Sequence, residues 1–427
     1  MKKFLAILLG AIFVLSFAAT AFAIHAEIPS ETQAVVAKGT TQITIDGDLR
    51  VRGWYTKNID AAGFPVDSTS HAWYDERIRL GVDAKVSPNV EGYIQLESGN
   101  EAGSPTTDNW AWGTPGFNSM PGTTPRFLQA WLMYSGQGLF GFPSGLKIGH
   151  MPLYLGQKQF FDHSKFGDDA IVFFMVPTKE LEIDLLTIKF IEGAKLVNGD
   201  DLDGYVGILT YKWDPKNTVG LNYTYLNQSS SGLKESNIEL VANGDISGFT
   251  YKASLDFQFG DKAEGVKAKG YGIGLGLGYM FDPVNLRLSA AYGSGSEDGT
   301  GEKQFDTFLG SDQTYTLVYD YNVATAAGAL HTGISNTAYL NLGIDFAATK
   351  DLTASLDGYI IRAAHANPAI AGSSDKDAGW EADARVKYNI AKNLTYQVDA
   401  GYFKAGDLYG PDNKGATVLK HAIELSF

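Results

Sequence analysis

Arg50 and Arg52 stand two residues apart, and so do Arg77 and Arg79. Arginine carries a permanent charge and a planar fork of donors that matches carboxylate and phosphate groups. A spacing of two places both members of a pair on one face of a β-strand. The first strand reads Asp46, Asp48, Arg50, Arg52 and Trp54 on its polar side, and the returning strand reads Asp75, Arg77, Arg79, Asp83 and Lys85. Antiparallel pairing would bring the four arginines to similar heights. Arg385 and Lys387 repeat the spacing late in the chain, with Lys420 beyond them. In a sheet closed on itself these cations approach one wall, and lining charges of one sign draw ions of the other sign into a pore. The expectation is a pore-lining basic stripe of Arg50, Arg52, Arg77, Arg79, Arg385 and Lys387. Asp83, Asp256, Asp357, Glu381, Asp383 and Asp399 fall on the same polar faces and are expected as pore-lining acids. Cations facing acids would set up a transverse field that favours polar solutes. For any single arginine the competing reading is a brace, paired with Asp48, Asp75, Asp83, Asp383 or Glu424. The cluster as a whole points to selectivity.

Such chemistry needs strands whose two faces differ. Phe249, Tyr251, Ala253, Leu255, Phe257 and Phe259 alternate with Thr250, Lys252, Ser254, Asp256 and Gln258. Trp380, Ala382, Ala384, Val386, Tyr388 and Ile390 alternate with Glu381, Asp383, Arg385, Lys387 and Asn389. Segments of roughly ten residues with this pattern suit a wall with lipid on one side and water on the other. The expected fold class is all-β: a transmembrane antiparallel up-and-down β-barrel of about 18 strands. The alternation breaks over Leu181–Gly193 and Ser236–Gly248. Trp54, Tyr55, Trp73, Tyr74, Tyr279, Phe281 and Trp380 cluster near strand ends, as interface girdles do.

The connections fall into two classes. Ser87-Pro88-Asn89, Asp214-Pro215-Lys216-Asn217, Asp282-Pro283-Val284-Asn285, Lys350-Asp351 and Ala391-Lys392-Asn393 are short and rich in turn formers. Lys57–Ala72, Glu101–Pro125, Gln157–Asp169, Ser296–Ser335 and Asn367–Ala378 are longer and polar. Short turns belong at the periplasmic end and long loops outside. The stretch Ser296–Ser335, with Asp298, Asp306, Asp312 and Asp320, is expected to act as a lid or constriction, the alternative being a mobile surface loop. Gly272, Gly274, Gly276 and Gly278 share one face. This ladder leaves room for a folded-in loop against the wall, or serves only curvature.

The two ends agree with a barrel. Residues 1–23 read as a signal peptide: Lys2 and Lys3, an apolar run, then Ala21-Phe22-Ala23. Residues 24–40 would be a short periplasmic segment and 41–427 the barrel. No later run reaches the roughly 18 apolar residues of a membrane helix. At the other end Ile423, Leu425 and Phe427 share a face, an expected handle for the barrel-assembly machinery. His421 falls on the lipid side of that alternation, which implies either a shifted register or a subunit contact.

Composition removes several classes. The chain has 427 residues, no Cys and a formal net charge of −14. Acidity disfavours nucleic acid as a partner, and the lack of Cys excludes disulfides and thiolate metal sites. Asp162-His163-Ser164 is contiguous, and neighbours in sequence do not make a triad. His25, His71, His150, His331, His365 and His421 show no metal spacing. Neither enzyme activity nor a cofactor or metal is expected.

The stretch Ser289–His365 carries a strand ending Ala291-Tyr292-Gly293-Ser294-Gly295, an acidic Gly-rich loop, Phe305-Asp306-Thr307-Phe308, then Leu340-Asn341-Leu342-Gly343 and the turn at Thr349-Lys350-Asp351. It resembles the alginate-export family of outer-membrane porins. So do Lys147-Ile148-Gly149-His150-Met151-Pro152-Leu153, the stretch through Gly167-Asp168-Asp169, and the two arginine ladders. The terminal strand is similar to the family's, with Ala422 in place of Gly. The resemblance implies a monomeric barrel of about 18 strands with an arginine-lined lumen for an acidic polysaccharide. His150 stands where the family motif has Arg, and the lumen face also carries many acids. The reading is therefore an outer-membrane porin for passive diffusion of small hydrophilic, anionic solutes, with a dedicated exporter of an anionic polysaccharide as the alternative.

Overall fold

The computed structural model describes residues 41–59, 70–98, 110–112, 125–138, 141–194, 197, 199–296, 301–308, 315–319, 333–366, 374–409 and 414–427. The expected signal peptide and the 24–40 segment lie outside these residues, as do His25, His331, Asp298, Asp312 and Asp320.

The first strands are β1 (Gln42–Lys57), β2 (Ser70–Ser87), β3 (Val90–Glu97), β4 (Trp110–Ala111), β5 (Arg126–Gly136) and β6 (Ser144–Tyr154). The middle of the wall is β7 (Asp162–Thr178), β8 (Leu181–Ile191), β9 (Leu202–Asp214), β10 (Asn217–Gln228), β11 (Leu233–Ile246), β12 (Phe249–Ala263) and β13 (Val266–Ala268). The last strands are β14 (Tyr271–Phe281), β15 (Val284–Gly293), β16 (Thr337–Ala347), β17 (Leu352–Ala363), β18 (Asp377–Ala391), β19 (Leu394–Ala405) and β20 (Gly415–Ser426). β4 is a short addition beside β2, and β13 pairs with β12 just ahead of β14. Without these two, the described residues form 18 antiparallel strands, each paired with the next, and β20 closes on β1. A closed barrel has no open edge and satisfies its backbone internally, as a membrane requires.

The alternation is realised as read. Ile78, Ile94, Leu342, Leu356 and Ile360 stand exposed on the outer face, as the lipid-facing positions of a membrane barrel would. Their neighbours on each strand turn inward. The short turns all fall at one end, joining β2 to β3, β9 to β10, β14 to β15, β16 to β17 and β18 to β19. At that end Phe427 and Gly47 exchange two backbone hydrogen bonds of 3.0 Å. The connection placed at Gln157–Asp169 is shorter than expected, because β7 already begins at Asp162.

The two broken stretches are still strands, for different reasons. β8 is apolar on both faces: Leu185 and Ile191 face outward, while Leu186 and Ile188 are buried inside. They pack under Phe160, Phe161 and Phe305, which come from connections folded into the lumen. On β11 the outward face carries Ser236 beside Ile238 and Leu240, and the inward face carries Glu235, Asn237 and Glu239. Ser236 takes a contact from the Tyr223 hydroxyl at 3.2 Å, so a small polar residue fits the outer wall.

His421 needs no shifted register. It pairs across from Gly53 and Val398, both outward positions. A Cβ at Gly53 would stand 2.2 Å from the imidazole, so the glycine makes the space the ring occupies. Tyr74 and Tyr396 flank it with centroids at 5.6 and 5.9 Å. Trp54, by contrast, is no girdle residue: it faces inward and is buried.

A charged cavity in the lumen as the candidate site

Gly272 and Gly274 of the glycine ladder are occupied by folded-in connections, while Gly276 and Gly278 meet only the neighbouring strands. A Cβ at Gly272 would meet the Phe305 ring at 3.0 Å, and one at Gly274 would run into the Gln159 amide. Phe305 belongs to the β15–β16 connection and Gln159 to the β6–β7 connection, so two connections fold in and meet there. Phe160, Phe161, Phe190 and Phe308 pack ring on ring between them. Hydrogen bonds fix this plug. Lys262 reaches the Gln304 carbonyl at 2.5 Å and the Asp306 carboxylate at 2.8 Å. The Gln258 amide donates to the Asp306 carbonyl at 2.8 Å and accepts from its N–H at 2.9 Å.

The other side of the lumen holds a cavity of about 490 Å³. β1 contributes Arg52 and Trp54, β15 Arg287, β16 Asp345, β17 Asp357, β18 Asp383 and Arg385, and β19 and β20 Asp399 and Lys420. Residues 315–317 of the β15–β16 connection complete the lining. The charges form two poles. Arg385 and Lys420 share one acid: their nitrogens lie 2.5 and 3.1 Å from the two oxygens of Asp399. At the other pole two acids share one cation. Arg287 donates to Asp345 at 2.8 and 2.9 Å and to Asp357 at 2.9 Å through two nitrogens. Asp383 lies directly across from Asp357 and adds to the negative side.

A model of the alginate export family matches residues 119–418. The chain belongs to the alginate export family. Solved structures agree on the fold. The crystal structure of Pseudomonas aeruginosa OccK2 (OpdF) aligns at 12% identity over 90% of this chain and 98% of that one, with a TM-score of 0.58. Pseudomonas aeruginosa OpdQ gives 10% identity, 90% and 98% coverage and a TM-score of 0.57. Acinetobacter baumannii OccAB4 gives 11% identity, 93% and 100% coverage and a TM-score of 0.54. No curated protein sequence matches the chain. This member of the alginate export family has the closed antiparallel β-barrel fold of those solved structures.

Within that family barrel, the expected stripe is brought to one wall but not left bare. Arg52 binds Asp75 with two hydrogen bonds of 2.7 and 3.0 Å and lies over the Trp54 ring at 5.0 Å. Arg77 is buried and holds Asp48 at 2.6 and 3.1 Å, with Glu424 3.8 Å away. Arg79 donates to Glu97 at 2.6 Å. Arg50 lies across from Arg77 on one side and Glu424 on the other. Arg385 keeps a side chain 53% exposed and lines the cavity. Lys387 is exposed on the same strand, across from Thr353 and Gln397, outside the cavity lining. The brace reading therefore describes Arg52, Arg77 and Arg79, and the stripe reading describes Arg385 with Lys420.

The acids separate in the same way. Asp357 and Asp383 line the cavity. Asp83 is half-buried and lies across from Thr44 and Tyr93, away from it. Asp256 and Glu381 face inward but are buried away from the cavity, which corrects the expectation that they line open water, whereas Asp399 lines the cavity from beneath its two cations. Asp256 accepts from Asn237 at 2.9 Å beside the plug. Glu381 is covered by residues 318 and 319, and Asp399 by its two cations. Arg287 and Asp345 were not expected as site residues. Arg287 sits on an alternating strand between Leu286 and Leu288, so its inward direction was legible. Its partners, 58 and 70 residues away, were not.

Proposed function

We propose that the channel passes small hydrophilic anions by diffusion, acting by passage rather than catalysis. The carrying observation is the Arg385–Asp399–Lys420 group, in which two cations share one carboxylate at the cavity wall. Arg385 engages Asp399 through Nε, and its half-exposed guanidinium edge suits a passing carboxylate. The acidic pole at Asp345, Asp357 and Asp383 faces the hydroxyl or amide part of the same solute. The field between the poles favours polar over apolar cargo. The same reading takes residues 1–23 as a secretion leader and the strand ending at Phe427 as the handle for barrel assembly.

The test is single-channel recording in a planar bilayer under a salt gradient. Arg385→Gln with Lys420→Gln should shift the reversal potential toward cations while the barrel stays folded. An unchanged anion-to-cation ratio would overturn the anionic preference. The family match favours a second reading, export of an anionic polysaccharide. A polyanionic oligosaccharide that blocks the current at far lower concentration than small carboxylates would favour it.

A further inference from the structure

Residues 315–319 reach the wall by an unusual set of bonds. A chain segment inside a barrel lumen has no neighbouring strand to take its amide protons, and a buried N–H left unpaired is costly. Here three consecutive amides find carboxylates of β18. Leu317 N–H donates to Asp383 Oδ2 at 3.1 Å, Val318 N–H to Glu381 Oε1 at 2.6 Å and Tyr319 N–H to Glu381 Oε2 at 2.8 Å.

The two acids also need the segment. Glu381 and Asp383 sit two residues apart on one face, and Asp357 lies across from Asp383. Three carboxylates on one patch of wall repel one another, and the repulsion grows as water is removed. Glu381 is 1% exposed, so the amides are its surroundings in place of water. Val318 and Tyr319 are fully buried, with the Tyr319 ring 5.0 Å from Phe403. The other end of the segment faces the cavity: Tyr315 stacks on Tyr339 at 4.3 Å, and Tyr315, Thr316 and Leu317 line the open space. One end is thus buried against the latch and the other forms pore wall.

Resting on the channel reading above, we infer that residues 315–319 are a latched inner wall of the pore, with Glu381 and Asp383 as the positioning residues and Tyr315 and Thr316 as determinants of which solutes pass. The strands carry the charges that attract a solute, and the latched segment sets how much room the solute has beside them. Weakening the latch should let the segment leave the wall and widen the path along β17 to β20 and β1.

The chain has no Cys, so one introduced thiol reports alone. The experiment uses the refolded full-length protein in planar bilayers and a Thr316→Cys variant exposed to anionic and cationic methanethiosulfonate reagents. Thr316→Cys should react from the aqueous lumen with a step down in conductance, and the anionic reagent should react faster. Glu381→Gln with Asp383→Asn, in the same background, should raise single-channel conductance severalfold, add open-closed transitions and abolish the reagent's block. Val318→Pro removes one latch donor and leaves both acids in place, so it serves if the double variant does not fold. It should act in the same direction. The latch falls if the folded variants keep the wild-type conductance, reversal potential and thiol reactivity. A wild-type protein that conducts with anion preference while the latch variants change nothing overturns this inference alone. A wild-type protein silent in every form overturns the channel reading beneath it.

Discussion

The described lumen has two sides built from the same kind of strand and finished in opposite ways. On the side of β6 to β10, β14 and β15, two connections fold in and close the space with phenylalanines. On the side of β16 to β20 and β1, the wall keeps its charges around an open cavity. In the first, inward positions are small or apolar, as with Gly272, Gly274, Ala170 and Ile188, and a loop can lie flat on them. In the second the positions around the cavity are long and charged, while Ile361, Phe403 and Val418 on the same strands are apolar and pack on Val318, Tyr319 and Tyr409, and residues 317–319 also give backbone donors to the wall carboxylates. The comparison teaches that a returning segment packs where the inner face is small or apolar, and that the lumen stays wet where long charged side chains face one another.

Four substitutions would break or sharpen that contrast. The largest effect is expected at Phe305→Ala, where a fully buried ring sits over Gly272. Loss of such a ring costs about 4 kcal/mol, read as a lower urea midpoint for unfolding in detergent. Its ion selectivity should stay that of the wild type, and a large selectivity change would merge the two sides into one. Next comes Arg77→Gln, which removes the buried cation of the pair and leaves the half-buried Asp48 without it. Removing one partner of such a pair costs about 3 kcal/mol, seen in the same titration. An unaltered midpoint would return Arg77 to the stripe of attracting charges.

Gly274→Val is expected to cost about 2 kcal/mol by overpacking against Gln159. Limited proteolysis of the β6–β7 connection would report the loop pushed off the wall, and an unperturbed digest would make the glycine ladder a matter of curvature. The smallest stability effect belongs to Arg385→Gln, about 1 kcal/mol, because the buried Asp399 keeps Lys420 at 3.1 Å when the half-exposed arginine is lost. That variant should move the reversal potential with little change in unfolding midpoint. The reverse result would make Arg385 a brace like Arg77.

Much of this was legible in the residues. Period-two alternation placed Arg52, Arg385, Asp357 and even His421 on their correct faces, since side-chain direction in a strand is a local property of the backbone. The turn formers at Asp214-Pro215 and Asp282-Pro283 marked one end of the barrel for the same reason. The failures were of another kind. Trp54 was read into a girdle because an aromatic near a strand end fits either face by type, whereas its partner Asp75 lies inside. β8 lost its alternation because its inner face packs on a loop rather than on water. Glu381 and Asp256 point inward as read, yet segments remote in sequence cover them: Val318 lies 63 residues from Glu381.

The sequence by itself determined that this chain forms strands with one apolar and one polar face, that those faces need lipid and water, and that short turns gather at one end. Those properties depend on neighbours within a few residues. Only the tertiary structure decided which acid neutralises which arginine, which carboxylates see water, and where the lumen stays open. Such outcomes depend on the register between strands, on the closure of β20 onto β1, and on loops that return across the lumen. A charge on the inner wall becomes a brace, a latch or a solute contact according to what stands within about 3 Å of it, and that neighbour is set by the whole closed barrel.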